Sequence, residues 1–350
     1  MKNISVGDFS IGLKSRPFII AEMSGNHNQS LDRAYRIIDA AISAGAHAIK
    51  LQTASPDGLT LNIDSPDFQI LDKESLWYGK NLYQLYEIAI TPWDWHAPIF
   101  EYCQKKGIIV FSSPFELKAV DFLEELDAPL YKIASFELVD TQLLRRVAKT
   151  GKPVILSTGM ATLSEIETAV NTVRDQGNDQ IVLLKCTSTY PAKPSDTNLL
   201  TIPHLRDAFK TIVGLSDHTM GVGASCAAVA MGATVIEKHF TLARADGGVD
   251  SAFSLEPHEL KILVEETERA WQALGAVEYG GSKNERNSLK FRRSIYVSRD
   301  MVAGEVLTEN NIRVIRPGFG LAPKYYEIVL GRRVNQDLKK GTAFSWNYIG

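Results

Sequence analysis

With 350 residues, 45% hydrophobic and 23% charged, the chain has the composition of an ordinary folded protein, long enough for one large α/β domain and a small second one. A formal net charge of −3 gives no general affinity for nucleic acid, and no stretch approaches the ~18 uninterrupted apolar residues of a membrane span. The first residues lack the apolar core of a secretory signal, so a cytoplasmic protein without membrane attachment is expected.

Runs of β-branched apolar residues that end in polar ones predict strands over 18–26, 46–53, 107–114, 130–137, 153–160, 181–189, 211–219 and 234–241. Helical periodicity lies between them, over 32–44, 95–106, 118–126, 141–150, 163–176 and 222–231, and again over 256–274. Strict alternation implies a parallel sheet, and eight repeats in ~250 residues are most economically closed into a (β/α)8 TIM barrel. No Gly-x-Gly-x-x-Gly follows the first strand, which argues against a dinucleotide fold.

One connection, 54–92, is unusually long and rich in Trp and Tyr, a composition suited to a packed loop or to contact with a sugar ring. After 275 the composition changes. The barrel is expected over 1–275, a linker over 276–291, and a small domain of short strands and turns over 292–350. Cys103, Cys186 and Cys226 are far apart and form no C-x-x-C pair, which reads as buried free thiols.

Polar residues fall at one end of all eight predicted strands, which in a barrel is the mouth where active sites are built. His218 and His239 end consecutive strands, where two imidazoles could share a divalent cation such as Mn²⁺ or Mg²⁺ with water and substrate oxygens; a hydrogen-bonded structural histidine or a base is the alternative for each. Lys50, Lys132, Lys185 and Lys238 suit an anionic ligand, or one of them a Schiff base as in a lysine aldolase. Any one of them could equally be a salt-bridged structural lysine. Glu22 and Asp250 are the carboxylates best placed for proton transfer or substrate orientation.

The segments Ile20-Ala-Glu-Met-Ser-Gly-Asn-His-Asn, Ile49-Lys-Leu-Gln, Tyr131-Lys-Ile-Ala-Ser, Leu156-Ser-Thr-Gly-Met, Cys186-Thr-Ser-Thr-Tyr-Pro, Gly214-Leu-Ser-Asp-His-Thr and Ile236-Glu-Lys-His-Phe resemble the sialic acid synthases. The last part, with Arg316-Pro-Gly-Phe-Gly-Leu, resembles their small antifreeze-like (SAF) domain. This resemblance implies condensation of phosphoenolpyruvate with an N-acylated sugar aldehyde, with C–O cleavage and release of phosphate. It implies that Lys50, Lys132, Ser135, Ser157, Ser188 and Ser216 hold phosphoenolpyruvate, with Lys50 also catalytic. Gln52, Tyr190 and Asp250 would meet the sugar, His218 and His239 the metal, and Glu22 a proton. Arg316 would reach the sugar from the partner subunit of a domain-swapped homodimer. Ser188 stands where most of the family has asparagine, and the first motif reads Glu-Met-Ser-Gly-Asn-His. With the long aromatic loop, these departures look like the branch that makes pseudaminic acid from a 2,4-diacetamido-2,4,6-trideoxy hexose of the L-altrose series. The N-acetylneuraminate and legionaminate branches are the alternatives.

Overall fold

The computed structural model describes residues 2–350, which divide into two compact units, Met1–Gly275 and Ala276–Gly350. The first unit begins with an antiparallel hairpin, β1 (Ile4–Val6) and β2 (Phe9–Ile11), that the sequence pattern did not announce. Eight parallel strands follow: β3 (Phe18–Glu22), β4 (Ala48–Thr53), β5 (Ile109–Pro114), β6 (Tyr131–Ile133), β7 (Val154–Ser157), β8 (Ile181–Cys186), β9 (Ile212–Ser216) and β10 (Val235–His239). They form a closed barrel in which β10 returns to β3, with His239 opposite Glu22.

The barrel strands follow from their sequences. Each is a run of β-branched and other apolar residues whose alternate side chains point in and out. Phe18, Ala48, Phe111, Leu130, Val182 and Val235 point inward and fill the lower barrel, where Ile4, Val6 and Ile11 of the hairpin close its base. Ile19, Ala21, Ile49, Leu51, Leu183 and Ile236 point outward and pack on the helices. Burial of side chains of this size stabilises the fold by about 1.5–3 kcal/mol each.

A helix follows every barrel strand: Leu31–Ala44, Trp93–Lys106, Leu117–Glu125, Thr141–Ala148, Leu163–Arg174, Thr201–Phe209, Gly223–Ala230 and Pro257–Leu274. Local caps set their ends. The Ser30 hydroxyl accepts from the Arg33 amide at 3.3 Å, and Thr162 and Glu165 form a reciprocal capping box. Gly45, at φ 88°, ends the first helix in the left-handed conformation that glycine adopts without strain.

Several expected strands run too long. After Glu22 the chain tightens into the 3-10 turn Ser24–His27, and β6 stops at Ile133. The long connection after β4 is packed structure, with short helices Pro56–Leu59 and Leu82–Ala89. Cys103 and Cys186 are buried as expected, whereas Cys226 is half-buried.

In the second unit, β11 (Ser294–Val297) pairs antiparallel with β12 (Ile312–Ile315) around a small core that includes Ile295, Val297, Leu307 and Phe344. Part of the expected linker is ordered here. Residues Glu285–Phe291 form a 3-10 helix, and the Lys290 carbonyl accepts from the Gly318 amide at 2.9 Å.

Candidate active site

Strand parity sorts the polar strand ends into two sets. On the inward face, above the apolar layer, stand Glu22, Lys50, Lys132, Ser157, Ser216 and Glu237, all buried. Lys50 forms an ion pair with Glu22 and lies 3.5 Å from Glu237; Lys132 lies 3.2 Å from the same Glu237 oxygen. Lys50 also donates to the Ser113 hydroxyl at 3.2 Å, and Ser216 to Glu237 at 3.3 Å. Two buried ammoniums and two buried carboxylates thus compensate one another, which is the condition for keeping charges away from water.

The four groups do not titrate alike. Burial pushes the Glu22 carboxyl up, against the pull of Lys50 and with the repulsion of Glu237. Burial also acts on Glu237, but Lys132 and Lys50 overcome it and hold that carboxyl down. Of the two carboxylates, Glu22 is therefore the one that takes up a proton more readily. Lys132 is pulled down by burial and by repulsion from Lys50, in spite of Glu237.

The outward face corrects the expected lysine ring. Lys185 shares the face of Ile181 and Leu183, and its Nζ donates to the Cys186 carbonyl at 2.5 Å. Lys238 shares the face of Ile236 and pairs with Asp217 at 3.1 Å and with the Thr219 carbonyl. Neither enters the barrel interior, because the period of two turns each away from its inward neighbour. Ser112 likewise points outward, where its hydroxyl meets Thr53 at 2.6 Å; Thr53 in turn meets His96 at 2.7 Å.

Three loops meet over the charged floor. Ser135 accepts a hydrogen bond from the Gly159 amide at 3.2 Å. A Cβ at Gly159 would fall 2.2 Å from the Ser188 hydroxyl and 2.7 Å from that of Ser135, so only glycine lets these serines converge. The Ser157 hydroxyl is buried without a partner and remains free to donate.

His218 and His239 lie side by side, ring centroids 5.3 Å apart, with Tyr190 4.4 Å from the His218 ring. The Nδ1–H of His218 donates to the Thr187 carbonyl at 2.9 Å, which leaves Nε2 as its lone pair. His239 Nδ1 is buried without a hydrogen-bond partner, and burial followed by repulsion from His218, Lys50, Lys132 and Lys238 keeps the ring neutral. Asp250 lies 3.8 Å from that nitrogen and accepts from the Ser24 hydroxyl. Ser24 itself holds a left-handed backbone, φ 48°, and its amide donates to Glu22 at 2.7 Å. Two adjacent imidazoles, with His218 Nε2 and His239 Nδ1 not engaged by the protein, would fit a divalent ion completed by water and substrate oxygens. Among the described residues, no group of three or more His, Cys, Asp and Glu side chains is placed to hold a metal ion, so an ion at His218 and His239 would take its remaining ligands from water and substrate.

A cavity of about 420 Å³ opens above these groups, with Gln52, Glu137, Ser188, Tyr190, His239 and Asp250 on its polar side. This volume suits a substituted monosaccharide. Arg316, expected near the sugar, belongs to the second unit, where it follows β12. Sequence reasoning missed Glu237 and Glu137. Glu237 could have been found from its inward parity with Val235 and His239 on β10, whereas Glu137 follows a strand end and carries no periodic signal.

Comparison with known proteins places the chain within a family. The pattern of the NeuB family matches residues 37–279, and that of the SAF domain residues 292–349. The pseudaminic acid synthase of Campylobacter jejuni serotype O:2 is 46% identical over 340 residues, 97% of this chain and 98% of that one. The pseudaminic acid synthase of Helicobacter pylori is 44% identical over 330 residues, 94% and 96% of the two chains. Among solved structures, the N-acetylneuraminic acid synthetase of Leptospira borgpetersenii in complex with citrate superposes with a TM-score of 0.73 at 35% identity, covering 82% of this chain and 95% of that one.

Proposed function

The chain belongs to the NeuB family and carries a C-terminal SAF domain, and from that premise we propose that it is a pseudaminic acid synthase. It condenses phosphoenolpyruvate with 2,4-diacetamido-2,4,6-trideoxy-β-L-altropyranose and water, giving pseudaminic acid and phosphate. Identity of 44–46% with the relatives that make this acid, over nearly their whole length, supports the branch. The observation that carries the chemistry is the buried Glu22–Lys50–Glu237–Lys132 cluster, with free serine donors beside it.

The residues account for each step. Lys50 and Lys132 exchange part of their carboxylate pairing for the phosphate of phosphoenolpyruvate, and Ser135, Ser157, Ser188 and Ser216 complete its cradle. Carbon 3 of the enol attacks the sugar aldehyde, which Gln52, Tyr190 and Asp250 orient. His218 and His239 would hold a divalent ion, which would supply Lewis acidity for activating the aldehyde. Water then adds at carbon 2, and Glu22 takes its proton. The C–O bond to phosphate breaks, and the two ammoniums stabilise the departing anion. The reading includes a homodimer in which Arg316 of one chain completes the sugar site of the other. It also includes a cytoplasmic setting; among the described residues no helix is long and apolar enough to cross a membrane.

The test is an acceptor panel assayed by phosphate release, with and without chelator. Release is expected with the trideoxy L-altrose sugar, lost on chelation and restored by Mn²⁺, with oxygen from ¹⁸O-water entering the keto acid and not the phosphate. Release only with N-acetylmannosamine or with the legionaminic acid precursor would move the chain to a sister branch. Borohydride trapping of pyruvate on a lysine would replace the mechanism with that of a Schiff-base aldolase.

A further inference from the structure

The cavity over the site is chemically divided. Its polar groups come from the barrel strands and their immediate loops, whereas everything contributed by residues 59–90 is apolar or aromatic. Leu59, Ile70, Leu82, Leu85 and Ile90 present only carbon. The wall also holds two polar side-chain atoms, on Trp77 and Tyr86. The Trp77 indole N–H donates to the Val249 carbonyl at 3.0 Å. Burial raises the Tyr86 hydroxyl, as does the nearby Glu137 carboxyl.

A ligand hydroxyl set against the aliphatic part of this wall, Leu59, Ile70, Leu82, Leu85 and Ile90, would give up water and find no side-chain partner there, while a methyl would bury apolar area at no polar cost. We propose that the wall built by the long loop after β4 is the specificity determinant for the acceptor, selecting a sugar whose wall-facing carbon is a methyl, as at C6 of a 6-deoxy hexose, over the same sugar with a hydroxymethyl. The proposal rests on the reading of this cavity as the acceptor site. It assigns to the loop a role in choosing the sugar, separate from the phosphoenolpyruvate chemistry of the floor. An apolar pocket rejects an added hydroxyl by about 100-fold at most, which sets the scale of the discrimination.

The experiment uses matched acceptors that differ only at C6: the trideoxy L-altrose sugar with its 6-hydroxy counterpart, and 6-deoxy-N-acetylmannosamine with N-acetylmannosamine. In the wild-type chain kcat/KM is expected to favour the deoxy member of each accepted pair by about 10- to 100-fold. Leu82→Asn and Ile90→Thr, both at half-buried wall positions, are expected to reduce this preference to about 3-fold or less through KM for the sugar, with KM for phosphoenolpyruvate unchanged. Equal use of both members by the wild type overturns the proposal, as does a preference that survives in both variants. Calorimetric binding of the same pairs keeps the two readings apart: if no sugar releases phosphate, the proposed reaction falls, and the binding preference still decides the wall.

Discussion

Glu137 is a carboxyl whose neutral form the barrel mouth favours. Burial pushes its pKa up to about 7, against the pull of its own backbone amide and of Lys132, and its Oε2 is buried without a partner. The folded chain therefore binds this proton more tightly than the unfolded chain does. The resulting stabilisation is fully present below the ordinary glutamate range and is lost as pH rises through about 7. Glu137→Gln keeps the shape and removes the titration. Urea midpoints should show no advantage for the variant at pH 5 and an advantage on the order of 1–3 kcal/mol at pH 8, in ligand-free protein. The same offset at both pH values would mean that the carboxyl ionises normally. At this scale the sequence was half legible. Glu22, Lys50 and Lys132 stand in recognisable strand-end motifs, whereas the significance of Glu137 arises from burial by a distant loop, which no local pattern encodes.

The period-two alternation of β8 and β10 decides which lysines belong to the site. Lys132 faces inward beside Glu237, while Lys185 and Lys238 share faces with Leu183 and Ile236 and meet the outer layer. Lys132→Met is expected to lower kcat/KM for phosphoenolpyruvate by about 10- to 100-fold, the loss of one charge-assisted contact. Lys185→Met should leave it within about 3-fold. Lys238→Met should leave it similarly unchanged while lowering stability by about 3–5 kcal/mol, because Asp217 is left buried without its ammonium. Steady-state kinetics and urea titration of the three variants check this; a selective loss of phosphoenolpyruvate affinity in Lys185→Met would return that lysine to the site. Eight strands and most helices were readable because apolar periodicity spans whole elements. Helix Thr201–Phe209 was not, since Pro203 and the preceding Asn198-Leu-Leu resemble loop. The hairpin of β1 and β2 has only three residues per strand, too few for alternation to show. Parity at strand ends was equally unreadable, because a shift of one residue inverts every side chain.

Charge is distributed unevenly over the whole chain. Residues 1–275 carry 25 Lys and Arg against 34 Asp and Glu, while residues 276–350 carry 13 against 7. In the swapped homodimer proposed above, each site would combine the barrel of one chain with Arg316 of the other, and a two-fold axis would make both sites equivalent. This arrangement has a consequence that an arrangement within one chain lacks. Lys132→Met impairs the barrel, and Arg316→Ala impairs what that chain lends to its partner, so each variant alone, assayed at phosphoenolpyruvate well below KM, should keep about a tenth of wild-type activity or less. Co-expressed in equal amounts, half of the dimers are mixed. Each mixed dimer then has one intact site, made of the unaltered barrel and the unaltered arginine, and activity should recover to about a quarter of wild type. Were Arg316 to serve its own barrel, neither chain of a mixed dimer would hold an intact site. Phosphate release from mixtures whose mixed dimers are confirmed by native mass spectrometry separates the two arrangements, and activity no greater than that of the parents would exclude the swap.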